Sequence, residues 1–283
     1  MTPSAIHYCG ISGGKDSTAV ALWLIHESGI EKSSLRFTVC NTYNEDQMTY
    51  DYIAMLSEWF ERWGAPGIVY LEPERGFLEL AKWKKRFPSR KARFCTQHLK
   101  VIPTRRDIEV LQTVGHEVTL YSGIRRDEST DREALQPEAF DLGFGCKVIR
   151  PLLTWTREQV FAYAAGFGIP RNPLYDIGAW RVGCFPCINS RKAEIRAISE
   201  HRPERIDQIR EWEAEVGSSF FARKTTPPQF RSRQVWSEKQ QRFFDVPMID
   251  DIVEWAKTDR GGKQYPLRFD DGLICDSGRG MCE

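Results

Sequence analysis

The stretch "CGISGGKDST", residues 9–18, decides how this chain is expected to fold. An apolar run with β-branched residues (5–11) precedes it, and the helix-like run "STAVALWLIHESG" follows from residue 17. The two glycines therefore lie on a strand-to-helix turn. The start of a helix presents unpaired N–H groups and a positive dipole end, and glycine lets the backbone approach an anion closely. The turn is predicted to bind phosphate, with Lys15 adding a positive charge.

The spacing of this turn excludes the common nucleotide-binding P-loop, which needs Gly, four residues and then Gly-Lys-Ser/Thr. Here the first position is Cys9, and Asp16 follows Lys15. Ser-Gly-Gly-Lys-Asp-Ser, residues 12–17, instead resembles the pyrophosphate-binding loop of the N-type ATP pyrophosphatases. That resemblance implies cleavage of ATP between its α and β phosphates, coupled to adenylation of a substrate. The alternative is a plain glycine turn in which Asp16 caps the helix.

Outward from the turn, strand-like and helix-like segments alternate, which is typical of an α/β fold. Apolar runs predict five strands, and amphipathic runs between them predict helices on both faces of a doubly wound, mostly parallel sheet. The strands are expected at 5–11, 34–42, 67–72, 117–123 and 146–152. Ligands bind at the carboxyl ends of such strands. Those ends carry the loop at 12–17, Asn41, Thr42 and Gly123.

The composition changes near residue 176, where the chain becomes charged and rich in loops. We predict a nucleotide-binding core over 1–175 and a smaller C-terminal appendage of helices and loops over 176–283, which carries cysteines. The net charge of +1 excludes a chain that is basic throughout. No apolar run reaches the roughly 20 residues of a membrane helix, and the N-terminus lacks a signal-peptide pattern. A cytoplasmic protein without a membrane partner is expected.

Eight cysteines in a cytoplasmic chain favour metal or redox chemistry, because disulfides are rare in that compartment. Cys184-Phe-Pro-Cys187 supplies two ligands of a soft tetrahedral site. Cys95 is the candidate third ligand, since it heads a predicted helix whose start lowers a thiol's pKa. The fourth ligand is sought at Cys275 or Cys282, or less readily at His98. Three cysteines on strand patterns are expected in the core instead: Cys9, Cys40 and Cys146.

Two basic segments also stand out. Arg125 and Arg126 follow the strand end at Gly123, and guanidinium forks suit phosphate or sulfate oxygens, although a solvated loop of ion pairs is the alternative. The run "KWKKRFPSRKARF" (82–94) holds seven basic residues and no acid, interleaved with aromatic residues. Such a run can follow a nucleic-acid backbone while its aromatic rings stack on bases. A solvated loop or a lid over ATP would show the same pattern.

Taken in chain order, four segments resemble the phosphoadenosine phosphosulfate (PAPS) reductase family. They are the loop at 12–17, "RFCTQHLKVIP" (93–103), "GIRRDES" (123–129) and "PLLTWTREQVFAYAAGFGIPRNPLYDIGAWRVGCFPC" (151–187). The resemblance covers residues 5 to about 195 and implies an adenine-nucleotide-binding fold. It implies that Asn41 and Thr42 lie near the nucleoside and that Arg125 and Arg126 grip the anionic end. The same resemblance implies that Lys15 and Asp16 act in catalysis. It also implies that six residues hold phosphates: Ser12, Gly13, Gly14, Lys15, Asp16 and Ser17.

The chain departs from the sulfonucleotide reductases of this family in two places. Those enzymes carry an altered first loop, whereas residues 12–17 keep the form that suits ATP cleavage. Reductases that hold a 4Fe–4S cluster pair a Cys-Cys with a Cys-x-x-Cys, and here the first pair is Cys95-Thr96. A tail cysteine could complete the ligand set, with Cys282 favoured and Cys275 as the alternative, or could act as a redox nucleophile. An intact loop together with cluster cysteines is similar to the sulfurtransferase of the Dnd system, which puts sulfur into the DNA backbone.

These observations predict an enzyme that binds ATP and Mg²⁺, with Asp16 as a candidate metal ligand, and releases pyrophosphate. Sulfur from a donor protein would then displace the adenylate, and nucleic acid is one class of acceptor. The cysteines would hold a 4Fe–4S cluster or Zn²⁺. One alternative is a reductase of PAPS or adenylylsulfate that uses a thiol reductant. Another is a nucleotide- or nucleic-acid-binding protein that makes no product.

Overall fold

A computed structural model describes residues 4–128, 130–238 and 240–259, apart from the side chains of residues 130 and 131. Its centre is a six-stranded sheet in the order β3-β2-β1-β4-β6-β5. Only β5 is antiparallel to its neighbour in this sheet. The strands are β1 (Ala5–Gly10), β2 (Leu35–Cys40), β3 (Ile68–Leu71), β4 (Glu117–Tyr121), β5 (Glu138–Asp141) and β6 (Cys146–Ile149).

The prediction of a mostly parallel α/β sheet is confirmed, but the predicted number of strands is wrong by one. The missed strand is β5, which pairs with β6 at the edge of the sheet. Its four residues, "EAFD", are almost entirely exposed. These residues form a strand because they pair with β6. They show no alternation of apolar and polar residues, so the sequence gives no sign of this strand.

Helices connect the strands and cover the sheet. In the first part of the chain they are α1 (Lys15–His26), α2 (Gln47–Arg62), α3 (Phe77–Lys84), α4 (Ile102–Thr113) and α5 (Arg157–Gly166). Two short helical turns, Phe94–Thr96 and Gln97–Val101, lead directly into α4. The later part contains α6 (Lys192–His201), α7 (Pro203–Val216), the hairpin β7 (Arg233–Ser237) and β8 (Arg242–Val246), and α8 (Ile249–Lys257).

The strand order creates a crevice beside β1. The chain runs from β1 to β2 and β3 on one side and then places β4 on the other side of β1. Where the strand order reverses in this way, loops diverge at the carboxyl ends and leave room for a ligand. The loop at 12–17 leaves β1 at this point.

An aromatic cluster joins the later helices to the core. Phe77 of α3 stacks 5.6 Å from Trp212 of α7, and Phe87 lies 5.0 Å from Phe220. All four residues are buried in one hydrophobic cluster. The division into units at residue 175 stays a prediction, and these contacts show that both predicted parts contribute to one cluster.

No helix in the described ranges has the length and apolar character needed to cross a membrane. The cytoplasmic location stays a prediction.

Candidate active site

The loop at 12–17 is fixed by its own hydroxyl groups. The N–H of Ser12 donates to Ser17 Oγ at 3.1 Å, and the N–H of Gly14 donates to Ser12 Oγ at the same distance. Gly13 has φ of +76°, and a Cβ added there would lie 2.9 Å from Thr49 Cγ2. Only glycine therefore fits this position without strain. The turn ends at Gly14, which precedes the first residue of α1.

The two charged residues of the loop point into a buried ion cluster. Asp16 is fully buried, and its Oδ1 accepts from Arg125 Nε at 2.6 Å. Lys15 Nζ contacts the other carboxylate oxygen of Asp16. Arg125 thus lies at the phosphate loop, as the sequence predicted. Asp16, however, forms ion pairs with both Lys15 and Arg125, so neither of its carboxylate oxygens is open to bind Mg²⁺ in this structure.

Arg126 has different surroundings. Its guanidinium donates to the carbonyl of Leu135 at 3.3 Å, whereas Arg125 bonds both Asp16 and Asp127. The structure joins Arg125 to the loop through Asp16 and turns Arg126 toward another segment. A role for Arg126 at the anionic end of a nucleotide stays a prediction.

A cavity lies at the carboxyl ends of β1, β2 and β4. Three residues predicted for the nucleotide site, Ser12, Ser17 and Gly123, line this nucleotide cavity. Asn41 lies beside it, and its amide donates to the Glu72 carboxylate at 3.2 Å. Several lining residues were missed from the sequence: Tyr8, Thr38, Cys40, Glu45, Lys100 and Thr104.

A second cavity contains the three cysteines predicted as metal ligands. Cys95, Cys184 and Cys187 all line it, although Cys95 is far from the other two in the sequence. Thr42 lines it as well, with its Oγ1 3.5 Å from Cys184 Sγ. We call this the three-cysteine cavity. Thr42 is therefore placed beside a thiol, not only near the predicted nucleoside site.

Hydrogen-bond donors surround one of these sulfur atoms. Arg181 Nη2 donates to Cys187 Sγ at 2.8 Å, and the N–H of Asn189 reaches the same sulfur at 3.5 Å. Arg93 and Lys100 also line the three-cysteine cavity. N–H and guanidinium donors of this kind are the contacts that orient the ligand atoms of metal sites.

The cysteine set fits a soft metal or an iron–sulfur cluster in its donor chemistry, but it is incomplete. Within the described part of the chain, no three Cys, His, Asp or Glu side chains form a ready-made metal-binding group. The two candidate fourth ligands, Cys275 and Cys282, lie outside the described residues. The ligand assignment therefore stays a prediction that rests on three thiols lining one cavity.

The expected low pKa of Cys95 is wrong for the thiol in this structure. Burial raises the pKa of Cys95, the neighbouring Cys187 raises it further, and Arg93 only partly opposes them. Burial and Glu45 likewise raise the pKa of Cys184, to about 12. The loss of water around these thiols outweighs the stabilisation that a helix start gives a thiolate.

The two cavities share a wall. Lys100 and Gly183 line both of them. Burial lowers the pKa of Lys100, but Cys184, Glu45 and Cys40 raise it, and the net shift is upward. Lys100 thus lies between the Glu45 carboxylate in one cavity and the cysteine thiols in the other.

Glu45, which lines the nucleotide cavity, is another residue that the sequence did not reveal. It is buried, and its carboxylate accepts from the Thr42 hydroxyl at 2.6 Å and the Tyr50 hydroxyl at 3.2 Å. The available signal was its position just beyond the carboxyl end of β2, where polar side chains meet a ligand. For Lys100, the signal was its place five residues after Cys95 on a helical segment.

The basic run at 82–94 is only partly open to a partner. Phe87 belongs to the buried aromatic cluster, and Lys82 is paired with Glu215 at 2.9 Å. Trp83 is 51% exposed, with Lys84 Nζ 3.8 Å from its ring centroid. The expectation that all aromatic residues of this run could stack on bases is wrong for Phe87, which the hydrophobic core requires.

The fold, the phosphate loop at the strand crevice and the adjoining thiols define a nucleotide-binding α/β protein with a cysteine site. Residues 7–190 match the phosphoadenosine phosphosulfate reductase domain, so the chain belongs to the PAPS reductase family. This confirms the resemblance seen in the sequence.

Individual relatives are similar over different lengths. An uncharacterized 37.8 kDa protein from the gpa 5′ region of Escherichia phage 186 is 34% identical, covering 99% of this chain and 97% of that protein. Adenosine 5′-phosphosulfate reductase from Bacillus mycoides is 27% identical, covering 58% of this chain and 67% of the enzyme. PAPS reductase from Candida auris, solved as a phosphate complex, aligns at a TM-score of 0.48 and 21% identity, covering 64% of this chain and 82% of that one.

Proposed function

We propose that this chain cleaves ATP between the α and β phosphates, adenylates an acceptor and supports transfer of sulfur to it. The observation that carries the proposal is the wall shared by the nucleotide cavity and the three-cysteine cavity, formed by Lys100 and Gly183. A nucleotide whose phosphates lie on the loop at 12–17 would have the second cavity next to it. The intact form of that loop suits ATP.

In the first step an acceptor oxygen attacks the α phosphorus of ATP, and the bond to pyrophosphate breaks. The Lys15 ammonium group would stabilise the charge on the departing pyrophosphate, while Mg²⁺ enters as the Mg–ATP complex. Asp16 holds Arg125 against the loop. In the second step a hydrosulfide ion forms a bond to the acceptor through its sulfur and loses its proton, and AMP leaves with the acceptor oxygen.

Cys95, Cys184 and Cys187, with a tail cysteine, would hold the 4Fe–4S cluster or Zn²⁺. Such a centre would supply a site for binding and activating the sulfur nucleophile. The chain's own groups contribute the surroundings: Arg181 donates to Cys187 Sγ, and the Thr42 hydroxyl contacts Cys184. These contacts orient the thiols toward one cavity.

Reduction of adenylylsulfate or PAPS is the second candidate, favoured by the reductase relatives. In that reaction a cysteine thiolate attacks the sulfate sulfur, and the nucleotide leaves. A thiol reductant then attacks the cysteine sulfur of the resulting thiosulfonate, which releases sulfite and leaves a disulfide. The attacking residue would be Cys275 or Cys282.

Ligand preference distinguishes the candidates. Mg–ATP should raise the thermal unfolding midpoint more than adenylylsulfate or PAPS does, because a ligand that binds only the folded state stabilises it by mass action. Sulfite release from either sulfonucleotide with a thiol reductant would contradict the proposal. Stabilisation by ATP with no product under any condition would instead indicate a binding protein.

A further inference from the structure

Two half-exposed tryptophans lie beside two of the chain segments that line the three-cysteine cavity. Trp180 directly precedes Arg181, which lines that cavity. Trp83 packs edge-on at 5.6 Å against His98, in the short helical turn that follows the one carrying Cys95. Trp180 is 50% exposed and Trp83 is 51% exposed. Large aromatic side chains left this open beside a cavity indicate a binding surface.

Cations surround both rings. The guanidinium carbons of Arg157 and Arg191 lie 4.1 and 4.2 Å from the centroid of the Trp180 ring. Neither guanidinium forms an ion pair with a carboxylate in the part of the chain that the structure describes. This differs from Arg196, on the helix that Arg191 immediately precedes, which pairs with Glu200 at 3.0 Å. Arg157 and Arg191 therefore keep charge available for an anion.

The positive charges at Trp180 also act on one another. Burial lowers the pKa of Arg191, and the nearby charges of Arg181 and Arg157 lower it further, although Glu194 opposes them. The guanidinium groups of Arg157, Arg181 and Arg191 together give this surface a positive potential. A polyanion would relieve that repulsion.

We propose that this tryptophan surface (Trp83, Lys84, Arg157, Trp180 and Arg191) binds single-stranded nucleic acid and presents it to the three-cysteine cavity. Unpaired bases would stack on the indole rings in place of the cations that lie over them, and the displaced arginine and lysine side chains would pair with the phosphates. A duplex keeps its bases stacked on each other and gives the rings little to bind. An acidic peptide would use the charges but would not need two exposed indole rings.

The inference deepens the proposed function, since it makes nucleic acid the acceptor for sulfur. Binding can nevertheless be measured without ATP, so its failure is separate from a failure of ATP cleavage. If the protein binds single-stranded nucleic acid but does not cleave ATP, the binding surface is supported and the proposed reaction is wrong. If it cleaves ATP but does not bind nucleic acid, the proposed reaction is supported and the binding surface is wrong.

The test is fluorescence anisotropy of a labelled 20-nucleotide single strand, as RNA and as DNA, at several salt concentrations. Stacking on a protein aromatic ring contributes about 1–3 kcal/mol per base, so Trp180→Ala should weaken binding about fivefold or more, and Trp180→Phe should restore part of it. The double variant Arg157→Ala, Arg191→Ala should reduce the slope of log binding constant against log salt concentration by about 1.4, because each phosphate contact on a single strand contributes roughly 0.7 to that slope.

Arg196→Ala is the matched control. It removes an arginine from the helix that follows Arg191, and this arginine already pairs with a carboxylate, that of Glu200. It should bind as the unchanged protein does, and every variant should keep its unfolding midpoint. The proposal would be overturned if a duplex bound as tightly as the single strand, or if Arg196→Ala weakened binding as much as the variants of the surface. It would also be overturned if Trp180→Ala bound the single strand as the unchanged protein does, or if the single strand bound no more tightly than ATP.

Discussion

Asp16 illustrates how a residue in a recognisable loop takes its role from a distant part of the chain. The local sequence places it at the start of a helix, facing a phosphate. In the structure its carboxylate bonds Arg125, which follows β4, and Lys15. Pairing across more than a hundred residues leaves no local pattern, so the sequence identifies the loop but not the direction of this side chain.

Asp16→Asn should destabilise the protein strongly. The substitution removes the buried carboxylate that pairs with both Lys15 and Arg125, and breaking a buried ion pair costs about 3–5 kcal/mol. The control is Asp207→Asn, since Asp207 is an exposed partner of Arg210 at 2.6 Å and such pairs contribute about 0–1 kcal/mol. Urea unfolding measures both. Similar losses in the two variants would contradict the buried cluster.

Glu213 gives the protein a pH-dependent stability. Burial raises its pKa to about 7, although the N–H groups of Phe220 and Ile249 donate to its carboxylate at 2.7 and 2.9 Å and oppose that rise. Because the folded chain binds this proton more tightly than the unfolded chain, the contribution is present below pH 4.5 and declines as pH rises through about 7.

Glu213→Gln should remove that decline. Between pH 5 and 7.5 the free energy of unfolding of the unchanged protein should fall relative to the variant, by on the order of 2 kcal/mol. The measurement is urea unfolding at several pH values, and the slope with pH is the readout because the substitution also alters one hydrogen bond. Parallel pH profiles would show that Glu213 does not titrate in this range.

At the scale of elements, the turn between Cys184 and Cys187 is anchored from two sides. The N–H of Phe185 donates to the carbonyl of Asn44 at 2.7 Å, and Arg205 Nε donates to the carbonyl of Phe185 at 2.8 Å. Asn44 follows β2, whereas Arg205 lies on α7. Arg205 thus links the cysteine turn to the loop beside the nucleotide cavity and acts as a positioning residue.

Arg205→Ala should loosen this turn. Cys184 and Cys187 should then react faster with iodoacetamide in metal-free protein, by severalfold, as located by mass spectrometry, while buried Cys9 should remain protected. Arg210→Ala is the control on the same helix, because Arg210 is exposed and pairs with Asp250 at 2.8 Å. Equal labelling in both variants would show that Arg205 does not hold the turn.

The elements with strong apolar periodicity were predictable, and those formed by tertiary contacts were not. The helix expected at 45–64 is Gln47–Arg62, with the Asp46 carboxylate accepting from the N–H of Met48 at its start. By contrast, β5 needs the edge of β6, and its exposed residues give no pattern. Likewise, the shared wall at Lys100 depends on the meeting of two segments that sequence spacing cannot place side by side.

Across the whole molecule, three thiols from two segments of the chain line one cavity, and this predicts a metal centre. Anaerobically purified full-length protein should contain about four irons and acid-labile sulfide per chain. Serine at Cys95, Cys184 or Cys187 should each remove the iron, whereas Cys9→Ser should not, because Cys9 is buried in the sheet core. Zinc in place of iron would keep a structural site without redox chemistry, and metal-free anaerobic preparations would contradict the site.

The central claim is that the phosphate loop serves cleavage of ATP at the α phosphate. Its most direct test is incubation of the protein with Mg²⁺ and ATP labelled at the α position, with single-stranded nucleic acid and sulfide supplied, followed by separation of the products. We expect AMP and an equal amount of pyrophosphate, with both products lost in Lys15→Ala. Release of ADP and phosphate, or unchanged turnover in Lys15→Ala, would contradict it.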